Sequence, residues 1–211
     1  MKKLLLWIAA GLFLCAACSA QSASPLLTIH NVTIIDTTGG PVQSHRTVSV
    51  RDGRIEEIVD SSAGMSRKLP GIHMNGTGKF LIPGLWDMHV HMVFGDWFPH
   101  GKEITLPLFI ANGITGVRDM GSELEVLQQW RKEINAGTLI GPRMWISGPM
   151  LDGPQPRFPS SLAIKTPDDG RRAVVDLKRR GADFIKLQSL IPREAVFAIA
   201  DEARKQGITF V

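Results

Sequence analysis

Cysteine is almost absent from this 211-residue sequence. The only two cysteines, Cys15 and Cys18, both lie within the first 20 residues. The rest of the chain therefore has no thiol that could form a disulfide or bind a metal. Any metal ion there must be held by histidine, by carboxylate or by a group derived from lysine.

The sequence also lacks an apolar run long enough to span a membrane and a basic block of the kind that binds nucleic acid. The longest apolar run, residues 4–17, has 14 residues, fewer than the roughly 18 that indicate a membrane-spanning helix. No block of lysine and arginine is interleaved with aromatic residues, so the sequence predicts no nucleic-acid partner. Two of the 24 basic residues precede the apolar run. Without them the chain has 22 basic and 20 acidic residues, a net charge of +2.

The first 20 residues predict a secretory signal peptide, because two lysines precede the apolar run and small residues follow it. Two endings remain open. Ala-Ala-Cys18 resembles a bacterial lipobox, which would lipidate Cys18, although Cys15 stands where a lipobox usually has leucine. Cleavage after Ala20 or Ala23 is the alternative. The sequence thus predicts export, either to the periplasm or as an outer-membrane-anchored lipoprotein whose only membrane contact is the lipid on Cys18.

The remaining chain divides into two predicted domains. Residues 26–80 alternate short β-patterned runs with turn signals such as Asp52-Gly53. Residues 81–211 alternate strand patterns with helical segments of 10–15 residues, which is typical of βαβ units and a parallel sheet. Repeated right-handed crossovers close a (β/α)8 barrel, whose active site lies at the carboxyl ends of the strands.

One segment of the second domain has metal-binding character. After the turn signal Pro83-Gly84, a short apolar run carries His89 and His91. Side chains alternate faces on a strand, so these two imidazoles project from the same side and could reach one metal ion. A His-x-His pair alone is also compatible with a structural or surface role.

The residues that flank this histidine pair resemble those of a known protein family. Residues 81–92, LIPGLWDMHVHM, resemble the first barrel strand of the amidohydrolase superfamily. Residues 113–121, GITGVRDMG, resemble its second strand, and residues 181–188, GADFIKLQ, its fourth, which ends in a lysine. The imidazolonepropionase and prolidase-like branch is most similar. The resemblance implies a metal-dependent-hydrolase-type (β/α)8 barrel preceded by part of a small β-sandwich.

The resemblance also implies a site. His89 and His91 would bind one of two divalent metal ions, and Lys186, converted to a carbamate by carbon dioxide, would bridge both. Zinc is the expected metal, although manganese, iron or cobalt suit similar ligands. A shared hydroxide would then cleave an amide, cyclic amide or dipeptide bond of a small-molecule substrate. Asp87 would accept a hydrogen bond from a metal-binding imidazole and so orient it, or serve a plainly structural role. Lys186 could otherwise extend its ammonium to the barrel mouth.

The sequence departs from the family by lacking part of the expected site. Complete members add histidines from strands five and six and an aspartate from strand eight, but no histidine follows His100 here. Residues 85–211 are also far fewer than the roughly 250 of a full barrel. We therefore expect a barrel truncated after about strand five, from a shortened gene product or an incomplete record. The alternatives are a non-catalytic remnant, an exported lipoprotein binding module, or a cyclic-amide deaminase.

Four further features have local interpretations. Asp119 is interpreted as a contact at the rim of the site, and His100 as a surface residue or a substrate contact. Ser122, followed by Glu125, predicts a capping box at the start of a helix. The proline-rich residues 153–167 predict a rim or lid loop.

Overall fold

The structure, a computed structural model, describes residues 25–64, 70–93 and 100–211. The predicted signal peptide lies outside these residues. The chain separates into two compact units, Met1–Pro83 and Gly84–Val211. Among the described residues, no helix combines the length and apolar character needed to cross a bilayer.

The first unit is built on one mixed sheet. Its elements are β1 (Leu27–Ile34), β2 (Gln43–Arg51), β3 (Arg54–Asp60), α1 (Ser61–Gly64), β4 (Ile72–Asn75) and β5 (Phe80–Leu81). The strand order is β3-β2-β1-β4, and β5 also pairs with β1. Asp52 and Gly53 form the tight turn between β2 and β3, both with positive φ, as the Asp-Gly signal predicts. The described residues of this unit form a single sheet, so the β-sandwich stays a prediction.

The second unit alternates strands and helices. Its elements are β6 (Leu85–Val90), α2 (Gly101–Ala111), β7 (Ile114–Asp119), α3 (Leu124–Asn135), β8 (Arg143–Ile146), β9 (Leu151–Asp152), β10 (Leu162–Ala163), α4 (Pro167–Arg179), β11 (Phe184–Ile185), α5 (Arg193–Gln206) and β12 (Thr209–Phe210). β6, β7 and β8 form a parallel sheet in that order, and β11 pairs in parallel with β12. The predicted α/β class is therefore confirmed.

Backbone hydrogen bonds connect these pairings across β8 and β11. The N–H of Asp183 donates to the carbonyl of Ile146 at 2.8 Å, and the N–H of Leu151 donates to the carbonyl of Lys186 at 2.8 Å. Neighbouring strands thus follow chain order. In the part of the chain that the structure describes, they do not close into a barrel.

The core of the second unit lies between the strands and the helices. Buried side chains on the helices recur at a spacing of three or four residues, which places them on one helix face. They are Leu124 and Leu127 on α3, Val174 and Leu177 on α4, and Ala195 and Ile199 on α5. Val117, Ile146 and Ile185 from the strands belong to the same buried cluster. This packing fixes the strands whose carboxyl ends carry the functional residues.

The capping box lies at α4 and not at α3. Glu123 is the N-cap of α3 and makes no capping hydrogen bond through its side chain, so the capping box predicted at Ser122 is wrong. At α4 the Thr166 hydroxyl accepts from the Asp169 N–H at 3.2 Å. The Asp169 carboxylate accepts from the Thr166 N–H at 2.9 Å. This reciprocal pair satisfies two donors at the start of α4.

The Asp169→Asn variant should lose less stability in acid than the wild-type protein. The Thr166 side chain and then its N–H hold the pKa of Asp169 below its usual value. Asp169 therefore contributes stability above its unfolded pKa of about 3.9, and this is lost as pH falls through the lower folded pKa. Urea unfolding at pH 6 and pH 3 measures the effect. Asp168→Asn, which removes only a carboxylate bonded to Arg171, is the control; equal acid sensitivity of all three proteins would contradict the prediction.

Candidate active site

Two histidines lie together where β6 ends. The ring centroids of His89 and His91 are 5.3 Å apart and the ring planes are inclined by 58°. His89 is exposed on β6, and His91 follows the last residue of the strand and is half-buried. The structure thus brings together the two imidazoles that the period-two pattern places on one side.

A backbone carbonyl fixes the protonation pattern of His91. Its Nδ1 lies 3.3 Å from the carbonyl oxygen of Gly121. A carbonyl oxygen can only accept, so Nδ1 carries the hydrogen of this bond. The lone pair of the neutral ring is then on Nε2, the usual arrangement of a metal-binding histidine whose other nitrogen is held by the protein.

Asp87 holds the backbone that carries His89. Its Oδ1 accepts a hydrogen bond from the His89 N–H at 3.1 Å. The carboxylate therefore restrains the chain at the point where the imidazole leaves it. The predicted role of Asp87 as an acceptor for an imidazole nitrogen stays a prediction.

Asp119, at the end of β7, organises the loop after the histidines. Its side chain is fully buried, so the interpretation as a rim contact is wrong. Its Oδ2 accepts from the Met92 N–H at 2.8 Å and from the Ser122 hydroxyl at 2.8 Å, and its Oδ1 accepts from the Gly121 N–H at 3.0 Å. Burial raises the pKa of Asp119, while these hydrogen bonds act in the opposite direction.

Ser122 is the second member of this network. Its hydroxyl oxygen accepts from the N–H groups of Met92 and Val93, both at 3.2 Å. The residues directly after His91 are thereby tied to the loop between β7 and α3. The same loop provides the Gly121 carbonyl, which accepts the hydrogen bond from the His91 ring. One buried network therefore positions both the donor and the acceptor of that bond.

Lys186 lies directly after β11 and is half-buried. Although His89 is largely exposed, its partial desolvation lowers its pKa, and the positive charges of His91, Lys186 and Arg118 lower the pKa further. Lys186 is thus close enough to act electrostatically on His89. The result favours a neutral His89 ring, which is the form that binds metals.

The structure does not bring every predicted residue into this group. His100 is exposed, adopts a left-handed conformation with φ of 70°, and precedes α2 as its N-cap. Its proposed contact with substrate stays a prediction, since residues 94–99 lie outside the described chain. Within the described ranges, no group of three or more His, Cys, Asp or Glu residues could hold a metal ion. The donor set is therefore two imidazoles and one amine.

Arg118 is a neighbour of the site that the sequence analysis missed. Its Nε donates to the Met88 carbonyl at 2.7 Å, and its Cζ lies 5.8 Å from the centroid of the Phe184 ring. Its position could have indicated a role at the site, because Arg118 lies one residue before Asp119, at the carboxyl end of a strand in the predicted barrel. Ends of this kind provide the site residues of such folds.

Comparison with known proteins gives consistent matches. Residues 80–208 match the model of the amidohydrolase family. Over 95 residues the chain is 33% identical to an N-acetylglucosamine-6-phosphate deacetylase from Lysinibacillus sphaericus, an alignment that covers 42% of this chain and 22% of the deacetylase.

Solved structures match most of the chain. A putative prolidase from Bifidobacterium longum superposes with a TM-score of 0.73 and 27% identity, covering 89% of this chain and 49% of that one. A Xaa-Pro dipeptidase with bound methionine in its active site gives a TM-score of 0.70 at 20% identity, covering 88% and 55%. The chain therefore spans about half the length of these two enzymes and about a fifth of the deacetylase.

Proposed function

Because this chain belongs to the amidohydrolase family, we propose that it acts as a metal-dependent hydrolase of carbon–nitrogen bonds. The observation that carries the proposal is the 5.3 Å separation of the His89 and His91 rings, with Lys186 near enough to influence the pKa of His89. Two imidazoles and a lysine at the carboxyl ends of parallel strands form an arrangement suited to metal binding.

The strand order supports a barrel. We propose that β6, β7, β8, β11 and β12 are the first five strands of a (β/α)8 barrel, and that residues 26–80 are part of a β-sandwich. Each of these strands is parallel to its predecessor where they pair, and a helix lies between each successive two of them in the chain. A barrel requires successive parallel strands joined through helices, with crossovers that are right-handed as a rule.

The donors present fit a divalent metal site. His91 would bind through Nε2, since Nδ1 is engaged with Gly121. His89 would bind as the neutral ring, which partial desolvation and the neighbouring positive charges favour. We propose that Lys186 joins them as a carbamate formed with carbon dioxide and bridges two ions. Zinc suits imidazole and carbamate ligands, and manganese, iron or cobalt also fit. Such ions, when bound, polarise a carbonyl group and lower the pKa of water.

The protein's own groups would set the geometry for this chemistry. Asp87 holds the backbone at His89, and the Asp119–Ser122 network holds the backbone after His91. Such positioning reduces the conformational entropy that the site would lose when substrate binds. The relatives named as a prolidase and a Xaa-Pro dipeptidase favour a dipeptide substrate, and the one named as a deacetylase favours another amide.

Export remains a proposal that depends on residues 1–20 alone. The arrangement of two lysines, an apolar run and small residues supports a periplasmic location, or an outer-membrane anchor if Cys18 is lipidated.

The Lys186→Ala variant should lose most of its bound metal. Removing the amine removes the only group of this site that can form a bridging carbamate. The measurement is the metal content of the purified protein by elemental analysis, together with metal-dependent hydrolysis of a panel of amides and dipeptides. Lys178→Ala is the matched control, because Lys178 is exposed on α4 and alanine is a good helix former.

Two results would count against the proposal. Metal content that is unchanged in Lys186→Ala would remove the bridging role. Wild-type protein that hydrolyses no amide in the presence of zinc, manganese, iron or cobalt would favour the non-catalytic alternative, a remnant or a binding module.

A further inference from the structure

The guanidinium of Arg118 is held in one orientation beside the two histidines. Its Nε is bonded to the Met88 carbonyl at 2.7 Å, in the residue before His89. The Phe184 ring, two residues before Lys186, lies below the guanidinium, with 5.8 Å between Cζ and the ring centroid. One hydrogen bond and one cation–π contact therefore fix a half-buried side chain between β6 and β11.

The charge of Arg118 lacks a carboxylate partner in the described part of the chain. Other half-buried arginines of this unit have one: Arg131 is 2.6 Å from Asp183 and Arg180 is 2.7 Å from Glu125. A guanidinium has five N–H donors, and the contacts of Arg118 use one of them. Its terminal nitrogens are not among the buried, unsatisfied polar atoms of the described residues, so they face solvent and are accessible to a group that arrives from outside.

On the basis of the proposed function, we infer that Arg118 binds a free carboxylate of the substrate, so that the preferred substrates are amides bearing a carboxylate, such as dipeptides. The planar fork of arginine matches the two oxygens of a carboxylate, and such charge-assisted bonds are about twice as strong as neutral ones. Because Nε is already engaged, the terminal Nη groups would make the contact. Binding one end of the substrate here would place its amide near His89 and His91.

The test compares two matched substrates in the wild-type protein and in Arg118→Met. One substrate is a dipeptide with a free terminal carboxylate, and the other is the same dipeptide as its carboxamide. For the carboxylate form, we expect KM in the variant to rise about 10- to 100-fold. For the carboxamide form it should change by less than about threefold, so the wild-type preference for the acid disappears.

Two further variants sharpen the comparison. Arg118→Lys keeps the positive charge and loses the fork, so it should recover only part of the preference for the acid. Arg143→Met is the matched control: Arg143 is exposed at the first residue of β8, the strand end opposite the site. Its two KM values should match those of the wild-type protein.

Three outcomes would overturn the inference: no preference for the acid in the wild-type protein, equal losses on both substrates in Arg118→Met, or a lowered unfolding temperature that accounts for the loss. Failure of the proposed function is a different result, namely no turnover of either substrate. In that case calorimetric binding of the free amino acid and of its amide decides. Tighter binding of the acid that Arg118→Met abolishes supports the inference, and equal binding refutes it.

Discussion

Replacing Asp119 with alanine should lower the free energy of unfolding by on the order of 4 kcal/mol. The substitution leaves the Gly121 N–H and the Ser122 hydroxyl without their acceptor and weakens the bonding of the Met92 N–H. Each buried donor left unsatisfied costs about 1–3 kcal/mol. The vacated space beside the buried core adds a smaller cost.

Urea unfolding at neutral pH measures this loss. Asp119→Asn keeps one acceptor oxygen and should fall between alanine and the wild-type protein. Asp168→Ala is the control, since the Asp168 side chain is 75% exposed and bonds only to Arg171 on its own helix; its effect should be small. A loss below about 1 kcal/mol for Asp119→Ala would show that the network contributes little to the fold.

Gly121→Ala should lower the free energy of unfolding by about 2–4 kcal/mol, for two reasons. Gly121 has a φ of +142°, where a side chain is strained. An added Cβ would also overlap Cγ of Met150, which is buried. The resulting backbone shift would move the Gly121 carbonyl, which accepts the hydrogen bond from His91 Nδ1. The affinity of the site for metal should therefore fall as well.

A double-mutant cycle separates the two reasons. Gly137→Ala places a side chain at a φ of +72° in open space. This left-handed region is less strained than +142°, so the variant sets a lower bound on the conformational cost. Adding Met150→Ala to Gly121→Ala should cost less than Met150→Ala does in the wild-type background, because the overlap is relieved. Strict additivity of the two changes would mean that the Met150 contact is not the source of the loss.

Much of the second unit could be predicted from local pattern. Apolar spacing, glycine stops and the proline at the start of α4 mark helices and strands that the structure reproduces closely, such as the strand 114–119. The start of α3 could not be predicted in this way. Ser122 and Glu125 have capping-box spacing, but the Ser122 hydroxyl donates to Asp119 and accepts from a loop about 30 residues earlier in the sequence. The sequence alone does not show whether a side chain will form its hydrogen bonds with a local or with a distant partner.

Some features of the candidate site could likewise be predicted from the sequence, and others could not. The closeness of His89 and His91 follows from strand periodicity, and the proximity of Lys186 follows from the placement of parallel strand ends. The buried role of Asp119 could not be predicted, because two of its three hydrogen-bond donors are backbone N–H groups, which every residue type except proline carries. The position of Arg118 over Phe184 likewise depends on two strands that are far apart in sequence.

The order of the strands in the second unit also bears on how the chain folds during synthesis. β7 pairs with β6, β8 pairs with β7, and β12 pairs with β11, so each of these strands finds a partner that the ribosome has already released. Chains emerge at roughly 5–20 residues per second, whereas helices and short loops form in microseconds or less. Each strand and helix can therefore dock before the next is translated, and assembly can keep pace with translation.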